Sequence, residues 1–203
     1  MKYLVILVAD KNMEFSIKGI LSRPQALSIR QINFDIFVHP HHDPGCLNEG
    51  HHFLQSALTQ SDHALILFDR EGCGRDNLTR QRLEQIVENN FFRAGWQQAA
   101  AIVFDPELEI WVWSNSPHVA EILGWKTNPL GLNNWLIKKG FLQQDGKIKP
   151  LKPKESMEAA LKQVRKPRSS MLYRQLAEKV SFKRCTDDAF YKFKTTLQSW
   201  FPI

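Results

Sequence analysis

Residues 64–74 read Ala64-Leu-Ile-Leu-Phe-Asp69-Arg-Glu71-Gly-Cys-Gly74, a continuous apolar run that ends abruptly in two carboxylates. An apolar run without polar alternation is typical of a strand buried on both faces of a parallel sheet. Two further segments have the same design, Tyr3-Leu-Val-Ile-Leu-Val-Ala-Asp10 and Ala99-Ala-Ala-Ile-Val-Phe-Asp105. These runs predict an α/β fold in which acids follow the carboxyl ends of several parallel strands.

Four strand-like runs, at about 2–9, 30–38, 63–68 and 98–104, alternate with helix-like segments. The second run alternates polar and apolar residues, with Phe34, Ile36 and Val38 on one side, and this pattern predicts a half-exposed strand nearer a sheet edge. The βαβα order favours a mostly parallel sheet with helices on its faces.

The chain divides by composition into two parts, which we predict to be an α/β domain at 1–125 and a basic, mainly helical C-terminal extension at 126–203 packed on it. Residues 1–125 carry 10 Lys and Arg against 15 Asp and Glu, whereas residues 126–203 carry 17 against 6. Basic surfaces attract phosphate backbones. The alternative interpretation is a solvated, lysine-rich helical surface.

Bulk properties favour a soluble protein of the cytoplasm. The chain has 203 residues, of which 43% are hydrophobic and 24% charged, and no apolar run reaches the ~18 residues that a membrane span needs. Three scattered cysteines are an odd number, which disfavours a disulfide framework and favours a reducing compartment. We therefore expect no membrane partner.

Acids after three different strands form the main functional signal. Glu14 follows the first strand, Asp69 and Glu71 follow the third, and Glu107 or Glu109 follows the fourth. Several carboxylates at one sheet edge repel one another unless a cation or a proton joins them. Hard divalent cations prefer oxygen ligands, so the sequence predicts a site for Mg²⁺ or Mn²⁺.

Local geometry refines this set of acids. Residues i and i+2 lie roughly 200° apart around a helix, so Glu107 and Glu109 cannot both face one site if both are helical. Asp105, which precedes Pro106, is interpreted as a turn residue that leaves the strand. Gly72 and Gly74 allow the backbone after the third strand to turn tightly.

Glu14 after a first strand, the acid-x-acid pair Asp69 and Glu71, and a further downstream acid resemble the metal site of TOPRIM domains. A closer resemblance is to small TOPRIM-like proteins of bacterial phage-defence loci, of the RloB-like and methylation-associated defence type. Those proteins often carry an acid just before a short Trp-containing helix, and Glu109-Ile-Trp111-Val-Trp113 is similar to it. The resemblance covers roughly residues 1–125.

This resemblance implies a TOPRIM-like fold and Mg²⁺-dependent chemistry on phosphodiesters. Glu14 would act as general acid or base or as a metal ligand, Asp69 and Glu71 would bind metal, and Glu109 would complete the catalytic site. The implied protein is a nuclease or phosphotransfer protein that acts on DNA or RNA within a prokaryotic antiviral defence system. The alternative is a non-catalytic module that binds nucleic acid or other defence-system proteins.

Two further groups of residues lie beside the predicted carboxylates. The segment His39–Cys46 contains His42 and Asp43, and it is interpreted as a loop that binds a transition metal, binds phosphate or transfers protons, or only caps backbone groups. Arg70 and Arg75 are candidates to stabilise charge on a bound phosphate. Their alternative role is to form salt bridges with nearby acids.

Overall fold

The computed structural model describes residues 3–114, 116–125, 129–143 and 149–203. Its sheet has four parallel strands in the order β2-β1-β3-β4. The strands, in chain order, are β1 (Tyr3–Val8), β2 (Asn33–Val38), β3 (His63–Asp69) and β4 (Ala99–Phe104). The predicted α/β class, the parallel sheet and the approximate strand positions are confirmed.

Helices connect the strands and form the C-terminal part of the chain. The α-helices of the described residues are α1 (Lys11–Leu21), α2 (Pro24–Leu27), α3 (His42–Phe53), α4 (Arg80–Arg93), α5 (Pro117–Ile122), α6 (Pro129–Lys138), α7 (Pro153–Gln163), α8 (Ser170–Lys179) and α9 (Asp188–Trp200). Short 3₁₀ helices cover Gln55–Thr59, Leu108–Trp111 and Phe182–Arg184. None of the helices in the described ranges is long and apolar enough to cross a membrane.

The position of each strand in the sheet follows from its hydrophobic pattern. From Leu4 to Val8 in β1 and from His63 to Phe68 in β3 every residue is buried, and these strands occupy the centre. The alternating strand β2 lies at one edge, where exposed and half-buried residues alternate along its length. This confirms the prediction that the second strand is half exposed and near an edge.

The histidine-rich segment differs from its predicted conformation. A loop was expected across His39–Cys46, and this expectation is wrong from His42 onward, where α3 begins. His39 itself is buried, and Gly45 in the first turn of α3 packs against its ring so closely that a Cβ there would overlap it. This glycine lets the helix start directly beside the end of β2.

The C-terminal helices pack on both the helical layer and the sheet. α8 lies along α1, and Gly19 on α1 allows the close approach, since a Cβ there would lie 2.8 Å from both Cβ of Ala177 and the carbonyl oxygen of Arg174. α9 packs against β4. One continuous apolar core joins residues from both parts of the chain, among them Leu172, Phe193 and Leu197.

The outer edge of β4 is covered by side chains instead of another strand. Glu84 on α4 accepts the backbone N–H of Val103 at 3.1 Å, and Glu88 accepts that of Ala101 at 3.0 Å. Lys192 from α9 bridges the two carboxylates at 3.1 and 2.6 Å. Buried amides need acceptors, so this bridge satisfies the edge and ties α9 to the sheet.

Candidate carboxylate site

Three aspartates lie where the parallel strands end, and we call them the sheet-edge aspartates. Asp10 follows β1, Asp43 lies in the first turn of α3 after β2, and Asp69 is the last residue of β3. In open α/β sheets, ligands bind in the crevice outside the carboxyl ends of the strands. The three carboxylates thus lie at the sheet edge where a ligand site is expected.

Backbone amides orient these three carboxylates. Asp10 Oδ1 accepts the N–H of Met13 at 2.8 Å and so caps α1. Asp43 Oδ1 accepts the N–H of Asp69 at 2.8 Å. Asp69 Oδ1 in turn accepts the N–H of Leu108 at 2.9 Å. One oxygen of each carboxylate is therefore held by the fold, independently of any ligand.

The electrostatic environment of Asp69 is unfavourable for its charge. Removal from water raises the pKa of Asp69 well above its ordinary value. The neighbouring carboxylates raise it further, Asp43 most, then Glu109, then Asp10. Burial also raises the pKa of Asp43, against the hydrogen bond from the amide of Asp69. Among the described residues, the ion pairs involve other acids, and the sheet-edge aspartates form none. Lys154, which pairs with Glu107, also interacts with Asp69 electrostatically, but without a direct contact.

Glu107 and Glu109 flank the start of the 3₁₀ helix Leu108–Trp111 and are buried, with 5% and 2% of their surface exposed. They bind different partners. Glu107 is the extended residue before the 3₁₀ helix, so the predicted condition that both are helical is not met. Glu109 Oε1 accepts hydrogen bonds from the hydroxyl of Tyr173 and from Nη2 of Arg168, the latter at 2.8 Å. Glu109 is therefore part of a neutralised, buried pair.

Glu107 is bound to the start of α7. Its Oε1 accepts the backbone N–H of Lys154 at 3.0 Å, and its Oε2 lies 3.6 Å from Nζ of the same lysine. Burial raises the pKa of Glu107, and the carboxylate of Glu109 adds to this, while Lys154 lowers it. This residue connects the site to the C-terminal helices.

Glu14, the first predicted ligand, lies in ion pairs within its own helix. Its carboxylate oxygens are 2.7 Å from Nζ of Lys11 and 2.6 Å from Nζ of Lys18. Burial works against the charge, but the hydrogen bonds from the two lysines bring the pKa of Glu14 below its ordinary value. In the part of the chain that the structure describes, Glu14 makes no contact with Asp69, so the structure does not bring these two predicted ligands together.

Glu71 and the two predicted phosphate-binding arginines lie at the exposed rim. The side chain of Glu71 is exposed, and its amide donates to the carbonyl of Pro106. Arg70 pairs with Asp105 at 2.7 Å and also donates to the carbonyl of Asp76. Asp105 is thus engaged in an ion pair with Arg70.

Arg75 is exposed, with Nη2 3.5 Å from Oδ1 of Asn48 on α3. His42 is exposed with a φ of 49°, and its Nδ1 lies 3.1 Å from the carbonyl oxygen of Ala9. The partners of these two side chains lie at the carboxyl end of β1 and on α3, on the same side of the sheet as the sheet-edge aspartates.

A divalent cation would require several donors at one point. Within the described residues, no three His, Cys, Asp or Glu side chains are placed so that they could hold one metal ion. The donor chemistry of the sheet-edge aspartates nevertheless fits Mg²⁺, which is often held by one or two carboxylates together with water and substrate phosphates. The predicted set of Glu14, Asp69, Glu71 and Glu109 is not assembled as a ligand cage.

Sequence reasoning missed several residues of this site. Asp10 had a signal, since it is the first acid after β1. Tyr173, Arg168 and Lys154 lie 47 to 64 positions beyond the glutamate that each contacts, in C-terminal segments without a recognisable motif. Their role depends on how α7 and α8 pack, which no local pattern encodes.

Comparisons with known proteins returned no significant match to this chain: no family model matches the sequence, and neither a curated protein nor a solved structure is similar to it.

Proposed function

We propose that the sheet-edge aspartates form the centre of a Mg²⁺-dependent site that cleaves or transfers phosphodiesters in nucleic acid, with Asp69 as its principal carboxylate. The observation that supports this most is the position of Asp69 at the carboxyl end of β3, where Asp43 accepts its amide at 2.8 Å and where Asp43, Glu109 and Asp10 all raise its pKa. Such an arrangement is costly in a folded protein, and strongly perturbed acids in a crevice are characteristic of functional sites.

The fold prepares these carboxylates for a ligand. The Leu108 amide holds Oδ1 of Asp69, and among the described residues no hydrogen bond to Oδ2 competes with a ligand there. Asp43 is held from the opposite direction by the amide of Asp69. When bound, Mg²⁺ would neutralise the carboxylates and supply a polarised phosphate and an activated water.

The C-terminal helices favour a nucleic-acid substrate. Lys154 lies beside the site with 43% of its side chain exposed, and the carboxylates of Glu107, Glu109 and Asp69 all raise its pKa against the effect of burial. Further exposed lysines lie on α6, α7 and α8, at Lys138, Lys162 and Lys179. Cations on the surface contact phosphates without reading sequence. The place of this activity in a prokaryotic antiviral defence system rests on the TOPRIM-like resemblance alone.

The proposal is tested by nuclease assays with single- and double-stranded DNA and RNA in the presence of Mg²⁺ or Mn²⁺. We expect Asp69→Asn to lower cleavage by roughly a hundredfold or more, since removal of a central metal ligand eliminates most of the catalysis, and excess EDTA to abolish it. Asp62→Asn is the matched control, because Asp62 is an exposed aspartate at the other end of β3.

Undiminished cleavage by Asp69→Asn, or cleavage that persists in EDTA, contradicts the proposal. Binding of nucleic acid without cleavage under all these conditions would instead support the non-catalytic binding module. Calorimetry with Mn²⁺ separates these outcomes further, because the catalytic site requires millimolar or tighter ion binding that Asp69→Asn weakens.

A further inference from the structure

The segment Glu107–Glu109 lies between the candidate site and the C-terminal helices. Its central residue, Leu108, donates its backbone N–H to Oδ1 of Asp69 at 2.9 Å. Its flanking glutamates are bound on the other side, Glu107 to the start of α7 and Glu109 to residues at and before α8. The position of one amide at the site thus depends on side chains that are anchored elsewhere.

The anchor of Glu109 is a closed set of hydrogen bonds. The Tyr173 hydroxyl donates to Oε1 of Glu109, and Nη2 of Arg168 donates to the same oxygen at 2.8 Å. Nε of Arg168 donates to the Tyr173 hydroxyl oxygen at 2.7 Å, which closes the triangle. Tyr173 and Glu109 are 1% and 2% exposed, so water does not replace a missing partner easily.

The 3₁₀ helix Leu108–Trp111 is a single short turn, so its position depends on the contacts that anchor it. Its main chain is joined to the flanking residues by bonds from Ile110 to Glu107 and from Val112 to Glu109, at 3.0 Å each. Its side-chain anchors are Glu109 and Trp111, whose Nε1 donates to Asp187 at 2.8 Å. Hydrogen bonds to charged groups are roughly twice as strong as neutral ones. The charged anchor at Glu109 therefore has a large share in deciding where the Leu108 amide lies.

We infer that Tyr173 and Arg168 are positioning residues, which hold Glu109 so that the Leu108 amide fixes the carboxylate of Asp69. The catalytic consequence of this inference rests on the proposed function, whereas the structural coupling does not. Neither residue touches the sheet-edge aspartates: they act through two covalently adjacent residues, Glu109 and Leu108. The C-terminal segments therefore help to position the carboxylate of Asp69, although they contain no recognisable motif.

The variant that isolates this role is Tyr173→Phe, which keeps the ring in the core and removes only the hydroxyl. Arg168→Lys keeps the charge but loses the planar, multi-donor head group. Two matched controls are available: Glu158→Gln removes the other carboxylate partner of Arg168, at 2.7 Å, and Arg174→Ala removes an arginine of α8 that pairs with Glu178 on the same helix.

The first measurement is hydrogen exchange of the Leu108 amide in the full chain, followed by NMR together with the amides of β1 as a reference. We expect Tyr173→Phe to accelerate exchange at Leu108 roughly tenfold, the scale of one lost hydrogen bond, while the β1 amides change less than twofold. Arg168→Lys should give a smaller acceleration in the same place, and both controls should match the wild type.

The second measurement is Mg²⁺-dependent cleavage, with kcat and KM determined separately. Positioning predicts that kcat falls roughly tenfold in Tyr173→Phe with KM nearly constant. Acceleration spread evenly over Leu108 and β1 would overturn the inference, because it indicates general destabilisation. Unchanged exchange at Leu108 would overturn it as well. If the wild type cleaves no nucleic acid, the proposed function fails, and the exchange result still decides the inference.

Discussion

Two groups of acids in this chain differ in their partners, although the acids of both groups lie close to strand ends or strand edges. The sheet-edge aspartates, Asp10, Asp43 and Asp69, are held by backbone amides and have no lysine or arginine partner among the described residues. A second group, which we call the bridged glutamates, is neutralised by cations from the C-terminal helices; its members are Glu84, Glu88, Glu107 and Glu109.

The two groups differ in whether a lysine or arginine pairs with the carboxylate. Each bridged glutamate accepts a hydrogen bond from a backbone amide or a tyrosine hydroxyl and also pairs with a lysine or arginine. Its charge is therefore compensated within the folded chain. Among the described residues, the sheet-edge aspartates accept hydrogen bonds from amides and form no ion pair, and the neighbouring carboxylates raise the pKa of Asp69. Repulsion between carboxylates lowers stability, and the Mg²⁺ of the proposed function would relieve it.

The largest effect is expected on the bridged side, from Glu84→Ala. This glutamate is 3% exposed, accepts the Val103 amide at 3.1 Å, and pairs with Arg80 at 2.8 Å as well as with Lys192. Its removal leaves the Val103 amide and Arg80 without this acceptor, and Lys192 with Glu88 alone. We expect a loss of about 3 kcal/mol in the free energy of unfolding, measured by urea denaturation.

Glu88→Ala is the control for this variant, because the side chain of Glu88 is 33% exposed and shares Lys192. We expect this variant to lose about 1 kcal/mol in the free energy of unfolding, because the Glu88–Lys192 pair is partly exposed to solvent. Equal losses in the two variants would contradict the distinction between the buried and the partly exposed glutamate of the bridge.

The opposite sign is expected for Asp69→Asn in metal-free buffer near neutral pH. Asparagine keeps an oxygen to accept the Leu108 amide but removes the charge that the other carboxylates repel. We expect a gain of about 0.5–2 kcal/mol in the free energy of unfolding, measured by the same denaturation. A loss of stability of similar size would show that the charge of Asp69 is compensated after all.

The pH dependence of this gain follows from the raised pKa of Asp69. Between the ordinary value of 3.8 and the raised value, the folded state binds more protons than the unfolded state. The wild type therefore gains stability as the pH falls through this window, and the advantage of Asp69→Asn disappears toward pH 4. Denaturation series at several pH values, with EDTA present throughout, measure the difference between the two proteins.

The smallest effect is expected for Glu14→Gln. Its two lysine partners are on the same helix, with 69% and 41% of their side chains exposed, and such pairs contribute about 0.3–0.5 kcal/mol each. Because the folded-state pKa of Glu14 is lowered, its contribution is present above its ordinary pKa of 4.5 and is lost as the pH falls through the lowered value.

Mn²⁺ binding provides a second test of Glu14→Gln. We expect Glu14→Gln to leave the affinity for Mn²⁺ within about twofold of the wild type, since the carboxylate is occupied by lysines, whereas Asp69→Asn weakens it strongly. A large loss of affinity in Glu14→Gln would place Glu14 at the metal, in agreement with the TOPRIM-like assignment and against the arrangement of its side chain in this structure.

The fold could be predicted closely because its signals are local. The uninterrupted apolar runs in β1, β3 and β4 and the alternation in β2 each follow from which faces of a strand are buried. The start of α3 could not be predicted in the same way. It depends on the close contact between Gly45 in α3 and the ring of His39 after β2. The pattern of polar and apolar residues does not reveal this contact.

The candidate site was predictable only in part. Asp69 and Glu109 stand out because they follow apolar strands, and Asp43 because it follows the strand end of β2. Whether an acid is neutralised is a different question, since it depends on lysines and arginines that arrive from distant parts of the chain. Glu107 and Glu109 illustrate this, because their cations, Lys154 and Arg168, lie 47 and 59 positions further along the chain.

A parallel α/β sheet with acids at the carboxyl ends of its strands follows from the residue pattern alone, because periodicity and strand-terminal residues are encoded locally. Which of those acids form ion pairs depends on the packing of distant segments. Lys154 on α7, Arg168 before α8 and Lys192 on α9 pair with the bridged glutamates, whereas the sheet-edge aspartates form no ion pair among the described residues. Charge compensation acts over a few ångströms in space, and sequence separation does not reveal it.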